Sequence, residues 1–490
     1  MSLKTVSLTF VLTLALITGF AFEGTRGLYE SSEGRYAECA REMVETGNYV
    51  EPQVGYRPHL TKPPLTYWAI AGGLELLRDN EWGARLYNAI AFVLTVFVAT
   101  AIGSILWDKT CGLIAGLIYA SSPFPVIGAY FVTTDTLLTL WVATAVLCYL
   151  KACKEMPGNL QRIWIWGMWL FFGIAVLTKG SAGLVFLFPV LVWHILQKKP
   201  AKIILSPIGI LLFLAVGFSW YITLCLRRSG TFAFLLNEQF TGRFTGNLRG
   251  HEAPNSEWYK AFLMYLPALT VGAGPWLYFL VRDLRMSRIL DILKFRHYRD
   301  ANRIENLLLL LLMPAVLFFI AKSKLIFYVL PFYTVISLVT ARRIRQSNYK
   351  ISPIVRMALI SGLILIAVKG VLAYLPIRSD MKPVCAICRE VQTPATRFVA
   401  FDEPKLFGLQ FYLHGNLKHV FSPGKDDEHN GDESLEEMIR DIQQSHGPQS
   451  WAIIANQKHF QILESRLKEA GLPYKTRATK YWILCLTGPA

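Results

Sequence analysis

Apolar runs that approach or exceed a bilayer crossing recur along this chain as far as residue 375, and no soluble core can absorb that many. A hydrocarbon core of about 30 Å takes about 20 apolar residues in helical form. Runs of this kind occupy residues 5–22, 83–107, 111–130, 133–150, 163–177, 182–196, 203–226, 261–281, 307–320, 325–340 and 353–375. They predict about eleven membrane spans, with ends uncertain by a few residues. The 490 residues are 53% hydrophobic and only 17% charged, and the mean hydropathy is +0.36. An ordinary soluble protein of this size is excluded.

The net charge of +16 would suggest nucleic acid in a soluble protein, but here its distribution decides. Lys4 precedes the first run; Lys151, Lys154 and Arg162 separate the fourth from the fifth; Lys198, Lys199 and Lys202 follow the sixth. Arg282, Arg285, Arg288, Lys294, Arg296, Arg299 and Arg303 follow the eighth, and Arg342, Arg343, Arg345 and Lys350 the tenth. Every second connection is basic, so these connections are expected in the cytoplasm. A cleaved signal peptide over the first 22 residues is the alternative reading of the first run; a retained helix keeps the alternation in phase.

That phase places outside the membrane the loop 23–82, the turns at Thr134-Asp135, Lys179 and Lys322 to Lys324, the loop 227–259, and everything after residue 375. Charges at membrane edges commonly have partners or functions, although any single one also reads as a snorkelling or capping side chain. The tail alternates short apolar runs with helical patterns and reads as a soluble α/β domain of about 110 residues. The chain therefore divides into a membrane domain, 1–375, and an extracytoplasmic domain, 376–490. Of eight cysteines, Cys385 and Cys388 form a lone CxxC on the outer side, where a disulfide is permitted but a redox or zinc role needs more ligands.

In the first loop, Tyr36, Ala40 and Met43 share one helical face, predicting a short amphipathic helix on the membrane surface. Glu33 at its start is favoured by the helix dipole. Lys62 precedes Pro63 and Pro64, so its ammonium stands on a stiff, extended turn. Lys62 and Arg35 both suit a phosphate.

The segments Glu33-Gly-Arg-Tyr-Ala-Glu and Lys62-Pro-Pro-Leu-Thr-Tyr-Trp resemble the first outer loop of the polyprenyl-phosphate-sugar-dependent membrane glycosyltransferases, which include the aminoarabinose lipid A transferases and their mannosyltransferase-like relatives. The resemblance runs on through Thr134-Asp135, Leu177-Thr-Lys179-Gly, Asn237-Glu238, Arg243-Phe, His251 to Tyr259 and Ala321-Lys322-Ser-Lys324 with Tyr328. It implies a polytopic α-helical GT-C fold with about 11–13 transmembrane helices and a small extracytoplasmic α/β domain. The implied reaction moves a sugar from a polyprenyl monophosphate to a lipid A-like, glycan or protein acceptor at the outer face of a bacterial inner membrane. It requires no nucleotide sugar and no nucleic acid; a divalent metal is left open as the only cofactor, with no ligands assigned.

Carried over position by position, Lys62, Lys179, Lys322 and Lys324, with Arg243 behind them, are candidates for the carrier phosphate, beside Arg35 from the loop itself, and Glu33 and Asp135 are the candidate catalytic carboxylates. The chain departs from the family pattern at Ser32-Glu33, where Asp-Glu is usual, and at Thr61-Lys62, where Glu-Lys is usual. Either Glu33 or Asp135 then serves as base, or an anionic acceptor needs none. A lipid-linked-sugar transporter or flippase, and a non-catalytic outer-face binding protein, are the competing readings. Transport usually places ionisable or helix-breaking positions near mid-membrane.

Overall fold

The computed structural model describes residues 7–237, 258–282, 305–322, 324–347, 349–403, 405–422, 433–445 and 450–488. Arg243, Glu238 and His251, and the basic residues from 285 to 303, lie outside them.

The helical body opens with α1 (Leu8–Phe20), α2 (Ser32–Thr46), α3 (Leu65–Leu77), α4 (Glu81–Leu106) and α5 (Lys109–Ser121). It continues through α6 (Pro123–Tyr130), α7 (Thr134–Lys154), α8 (Asn159–Lys179) and α9 (Ser181–Leu196). Pro207–Arg227, Phe332–Gln346 and Ile351–Tyr374 are its principal later helices. Their starts follow from local chemistry: Asn80 accepts from the Gly83 amide at 2.9 Å and Asp108 from the Cys111 amide at 2.9 Å, each relieving an orphan donor of a first turn.

Among the described residues six helices are long and apolar enough to cross a membrane, or seven if α5 and α6 count as one bent span; α1, α3 and α9 are shorter apolar helices. The sequence runs predict about eleven, and the difference has physical causes. The run 111–130 breaks at Pro123, where α5 and α6 meet at 56°. The runs 5–22 and 182–196 fold as the short helices α1 and α9, whereas the run 261–281 still counts as one span although it passes through a 3₁₀ stretch, Val271–Trp276, holding Pro275 and Gly274 at φ 59°. Proline removes a helical donor and clashes with the preceding turn, so hydropathy counts residues that helix geometry divides.

After residue 375 the chain forms a six-stranded sheet. A hairpin of β1 (Gln53–Val54) and β2 (Arg57–Pro58) lies in the first loop; the sheet holds β3 (Thr396–Phe401), β4 (Lys418–Phe421), β5 (Glu433–Ser434), β6 (Ser450–Asn456), β7 (Tyr474–Ala478) and β8 (Trp482–Thr487). Its order is β5-β4-β3-β6-β8-β7, with β5, β4, β3 and β6 mutually parallel and β8 antiparallel to both β6 and β7. The pleat sends Phe398 and Ala400 into a core continuous with the membrane body, and Val399 and Phe401 into a second core under the helices Leu435–Gln444 and Gln457–Glu469. Cys385 and Cys388 sit one turn apart on the buried side of the helix Lys382–Val391 as free thiols, and burial pushes Cys388 up to about 12. Neither has the lowered pKa of a reactive thiol.

Contrary to the surface-lying helix expected from its amphipathicity, α2 is buried almost throughout, held between the membrane body and the sheet domain. Gly34 makes this packing possible: a Cβ there would lie 2.2 Å from the Gly408 amide nitrogen. Glu30 caps the contact by accepting from the amides of Gly408 at 2.6 Å and Leu409 at 3.1 Å. The Tyr412 hydroxyl donates to Glu81 at 3.0 Å and accepts from the Leu28 amide at 2.9 Å.

Candidate active site

Two helix ends meet at the end of the body that carries the sheet domain. Thr133 starts α7: its hydroxyl accepts from the Asp135 amide at 3.3 Å and donates to the Asp135 carboxylate at 3.0 Å. Asp135 thus stands in a first turn, where the helix dipole favours negative charge, and Lys179 is the last residue of α8, where it favours positive charge. The two form a buried ion pair. The Lys179 ammonium also lies 4.3 Å from the centre of the Tyr328 ring, a cation–π contact. Gly180 ends α8 at φ 61°, and a Cβ there would stand 2.8 Å from the Tyr221 hydroxyl, so glycine is required by both conformation and space.

Beside this pair lies a cavity of about 490 Å³. Leu60, Thr61, Lys62 and Pro63 form one wall, Lys179, Gly180 and Ser181 another, and Phe218, Tyr221, Phe232 and Leu236 supply much of the apolar remainder. The first loop is pinned over it: Trp220 donates to the Val50 carbonyl at 2.7 Å, Trp68 to the Tyr49 carbonyl at 2.6 Å, and Arg228 pairs with Glu51 at 2.9 Å. Two ammonium groups in a largely apolar chamber suit an anionic headgroup on a hydrocarbon chain.

Glu33 has a different environment. It is 2% exposed and accepts from Arg26 at 2.5 and 3.0 Å, from Arg85 at 3.3 and 3.3 Å, and from the amides of Tyr29 at 3.0 Å and Val132 at 2.8 Å. Burial alone would raise its pKa, but the Arg26 and Arg85 guanidiniums reverse that and hold it at about 2. Both oxygens are fully used, which suits an anchor better than a proton acceptor. Through Val132 this anchor fixes the approach to Asp135.

The remaining candidates divide. Arg35 is half-buried on α2, its charge acting on Cys39 and Tyr67. Lys324 is buried and Lys322 exposed, on the segment that leads to Tyr328. Among the described residues no group of three or more His, Cys, Asp or Glu side chains could hold a metal ion.

Sequence reasoning missed Arg26, Arg85, Glu23 and Lys369. Lys369, in the last long helix and 1% exposed, donates to Glu23 at 2.8 Å and to the carbonyls of Thr18 at 3.1 Å and Gly19 at 3.0 Å. Arg85 and Lys369 lie inside runs counted as apolar, and a charge inside such a run was the available signal.

The layout defines a class: a polytopic helical membrane protein with a pocket among its helices and a small sheet domain packed on its first loop. A family profile described as dolichyl-phosphate-mannose-protein mannosyltransferase matches residues 61–224. The undecaprenyl phosphate-alpha-4-amino-4-deoxy-L-arabinose arabinosyl transferase 1 of Pseudomonas fluorescens is 29% identical over 314 residues, covering 63% of this chain and 54% of that protein. The corresponding Pectobacterium atrosepticum transferase is 28% identical over 364 residues, covering 73% and 62%. The chain's match thus spans little more than half the length of these curated relatives. The crystal structure of ArnT from Cupriavidus metallidurans bound to undecaprenyl phosphate superposes with TM-score 0.78 over 98% of this chain and 97% of that one, at 17% identity. The Archaeoglobus fulgidus oligosaccharyltransferase gives TM-score 0.54 over 83% and 62%, at 13% identity. The fold is the GT-C fold of these solved structures, and the sequence is similar to membrane glycosyltransferases that act on polyprenyl-phosphate sugars.

Proposed function

We propose that this protein transfers a sugar from a polyprenyl-phosphate carrier to a lipid, glycan or protein acceptor at the extracytoplasmic face of a bacterial inner membrane. The observation that carries the reading is the apolar cavity with Lys62 and Lys179 in its walls and Asp135 paired to Lys179. The similarity to aminoarabinosyl transferases favours a lipid A-like acceptor. The alternation of basic connections supports the orientation.

In this mechanism the carrier phosphate enters among Lys62 and Lys179, with Lys322, Lys324, Arg35 and Arg243 as further cations. Lys179 exchanges its carboxylate partner for the phosphate, and Asp135 is released toward the acceptor. The acceptor hydroxyl oxygen bonds to the anomeric carbon as the carbon–oxygen bond to phosphate breaks. The electron pair leaves with polyprenyl phosphate, stabilised by the ammonium groups, and the hydroxyl proton passes to Asp135. Displacement from the opposite face inverts the anomeric centre. Glu33 holds the loop on which this arrangement depends. Residues 1–375 would carry transfer, and 376–490 would cover the site and contact the acceptor.

The test compares, by mass spectrometry, lipid-linked sugars and glycolipids of cells with and without the protein. Accumulation of one polyprenyl-phosphate sugar, together with loss of that sugar from a glycolipid or glycan, is expected. An unchanged glycan inventory with a lipid-linked sugar trapped on the inner face would replace transfer with transport.

A further inference from the structure

The edge of the sheet at which β6 ends and β8 begins is fastened to the end of the last membrane helix. That helix, Ile351–Tyr374, closes with the Leu375 amide on the Val371 carbonyl. Just beyond it, the Tyr481 hydroxyl donates to the Pro376 carbonyl at 3.3 Å and the Trp482 indole to the Arg378 carbonyl at 2.9 Å. The sheet edge is therefore held where the helix leaves the hydrocarbon, beside Tyr374, which is 76% exposed, and Leu375, 48% exposed.

Three exposed cations, Arg378, Lys458 and Lys480, lie in the segments that meet at this edge. The Arg378 guanidinium lies 5.7 Å from the centre of the Trp482 ring. Lys480 precedes Trp482 by two residues, its ammonium 5.3 Å from the centre of the Tyr481 ring. Lys458 follows Asn456, which pairs with Trp482 across the sheet. Among the described residues the carboxylate paired with this group is Glu403, engaged by His459 at 3.1 Å and more distantly by Arg378 at 3.9 Å. Aromatic rings beside cations at a helix exit form an interfacial pattern: the rings settle at headgroup depth and the cations attract lipid phosphate.

We propose that this edge is a docking surface for acidic phospholipid headgroups, with Arg378, Lys458 and Lys480 taking the phosphates and Tyr374 and Tyr481 seated among the glycerol groups, while the buried Trp482 holds the edge in place. The docking fixes the sheet domain against the bilayer and so sets the height at which α2 is covered. It requires only that the Ile351–Tyr374 helix spans the membrane, and is independent of the glycosyl-transfer reading.

The experiment measures hydrogen exchange of the full-length protein in nanodiscs of phosphatidylcholine alone and of phosphatidylcholine with phosphatidylglycerol. Amides in 456–459 and 478–482 are expected to exchange several-fold more slowly with phosphatidylglycerol, while 351–374 serves as an unchanged reference. A variant carrying Arg378→Gln, Lys458→Gln and Lys480→Gln, all at exposed positions, should lose the lipid dependence and keep the reference. Equal exchange in the two lipids, or lipid-dependent protection that persists in the variant, overturns the proposal. Protection by inorganic phosphate in phosphatidylcholine nanodiscs without any effect of phosphatidylglycerol also overturns it, and assigns the edge to a soluble anion.

Discussion

Glu33→Gln separates anchoring from catalysis. The substitution is isosteric, yet it removes the carboxylate that pairs with both Arg26 and Arg85, and it turns an amide NH₂ toward groups that are all donors. Breaking a buried pair by removing one partner costs about 3–5 kcal/mol, because the remaining charge is left uncompensated. At about 1.4 kcal/mol per tenfold, the folded population falls against the unfolded by roughly 10²- to 10⁴-fold. Denaturation of detergent-solubilised wild type and variant in SDS or by heat measures it. The pH dependence has a definite sign. The carboxyl titrates at about 2 in the folded protein against an ordinary 4.5, so its contribution is complete above 4.5 and disappears as pH falls toward 2. The stability gap between wild type and variant should narrow over that window. Under conditions where the variant is folded, its turnover should stay within a few-fold of wild type. A variant as stable as wild type but inactive would refute the anchoring role and return Glu33 to the chemistry.

Asp135→Asn should reverse that pattern, lowering turnover by about 10²- to 10⁴-fold as a lost general base, with a smaller loss of stability than Glu33→Gln in the same denaturation assay. Lys62→Ala and Lys179→Ala each remove a charged contact worth about 1.5–3 kcal/mol, so the KM or Kd for the polyprenyl-phosphate carrier should rise roughly 10- to 100-fold, measured by titration with carrier in detergent. Burial raises Glu30 to about 8 and, with repulsion from Glu38, Glu42 to about 7. A raised carboxyl contributes stability that is present below about 4.5 and lost as pH rises through its folded value. Stability should therefore decline from pH 5 to 8, and Glu30→Gln should flatten that slope in thermal melts. Gly34→Leu should separate the sheet domain from α2, read as faster proteolysis within 376–490; unchanged cleavage would contradict the packing.

Much of this arrangement was legible in the sequence because it depends on local signals. Lys62 announces itself through the two prolines after it, Asp135 through its place in the first turn of an apolar helix, and Lys179 through the glycine that ends one. The tail's alternation of strand and helix patterns likewise follows from side-chain periodicity. What the sequence withheld was pairing at a distance. Asp135 and Lys179 stand 44 residues apart, and nothing local says that they neutralise one another. Glu33 reads as a first-turn carboxylate; only the fold brings Arg85 to it from 52 residues away. The burial of α2 was equally hidden, since an amphipathic helix looks the same whether its polar face meets water or, as here, a second domain.

Single-turnover transfer by the purified protein in proteoliposomes tests the central claim most directly. A polyprenyl-phosphate-linked sugar and a lipid acceptor pool are supplied, and free polyprenyl phosphate and glycosylated acceptor are quantified together. Wild type is expected to release one polyprenyl phosphate per sugar transferred, with Asp135→Asn slowed by at least about 10²-fold and still able to bind the carrier. Transfer at the wild-type rate by Asp135→Asn, or release of carrier phosphate with no glycosylated product, would contradict it.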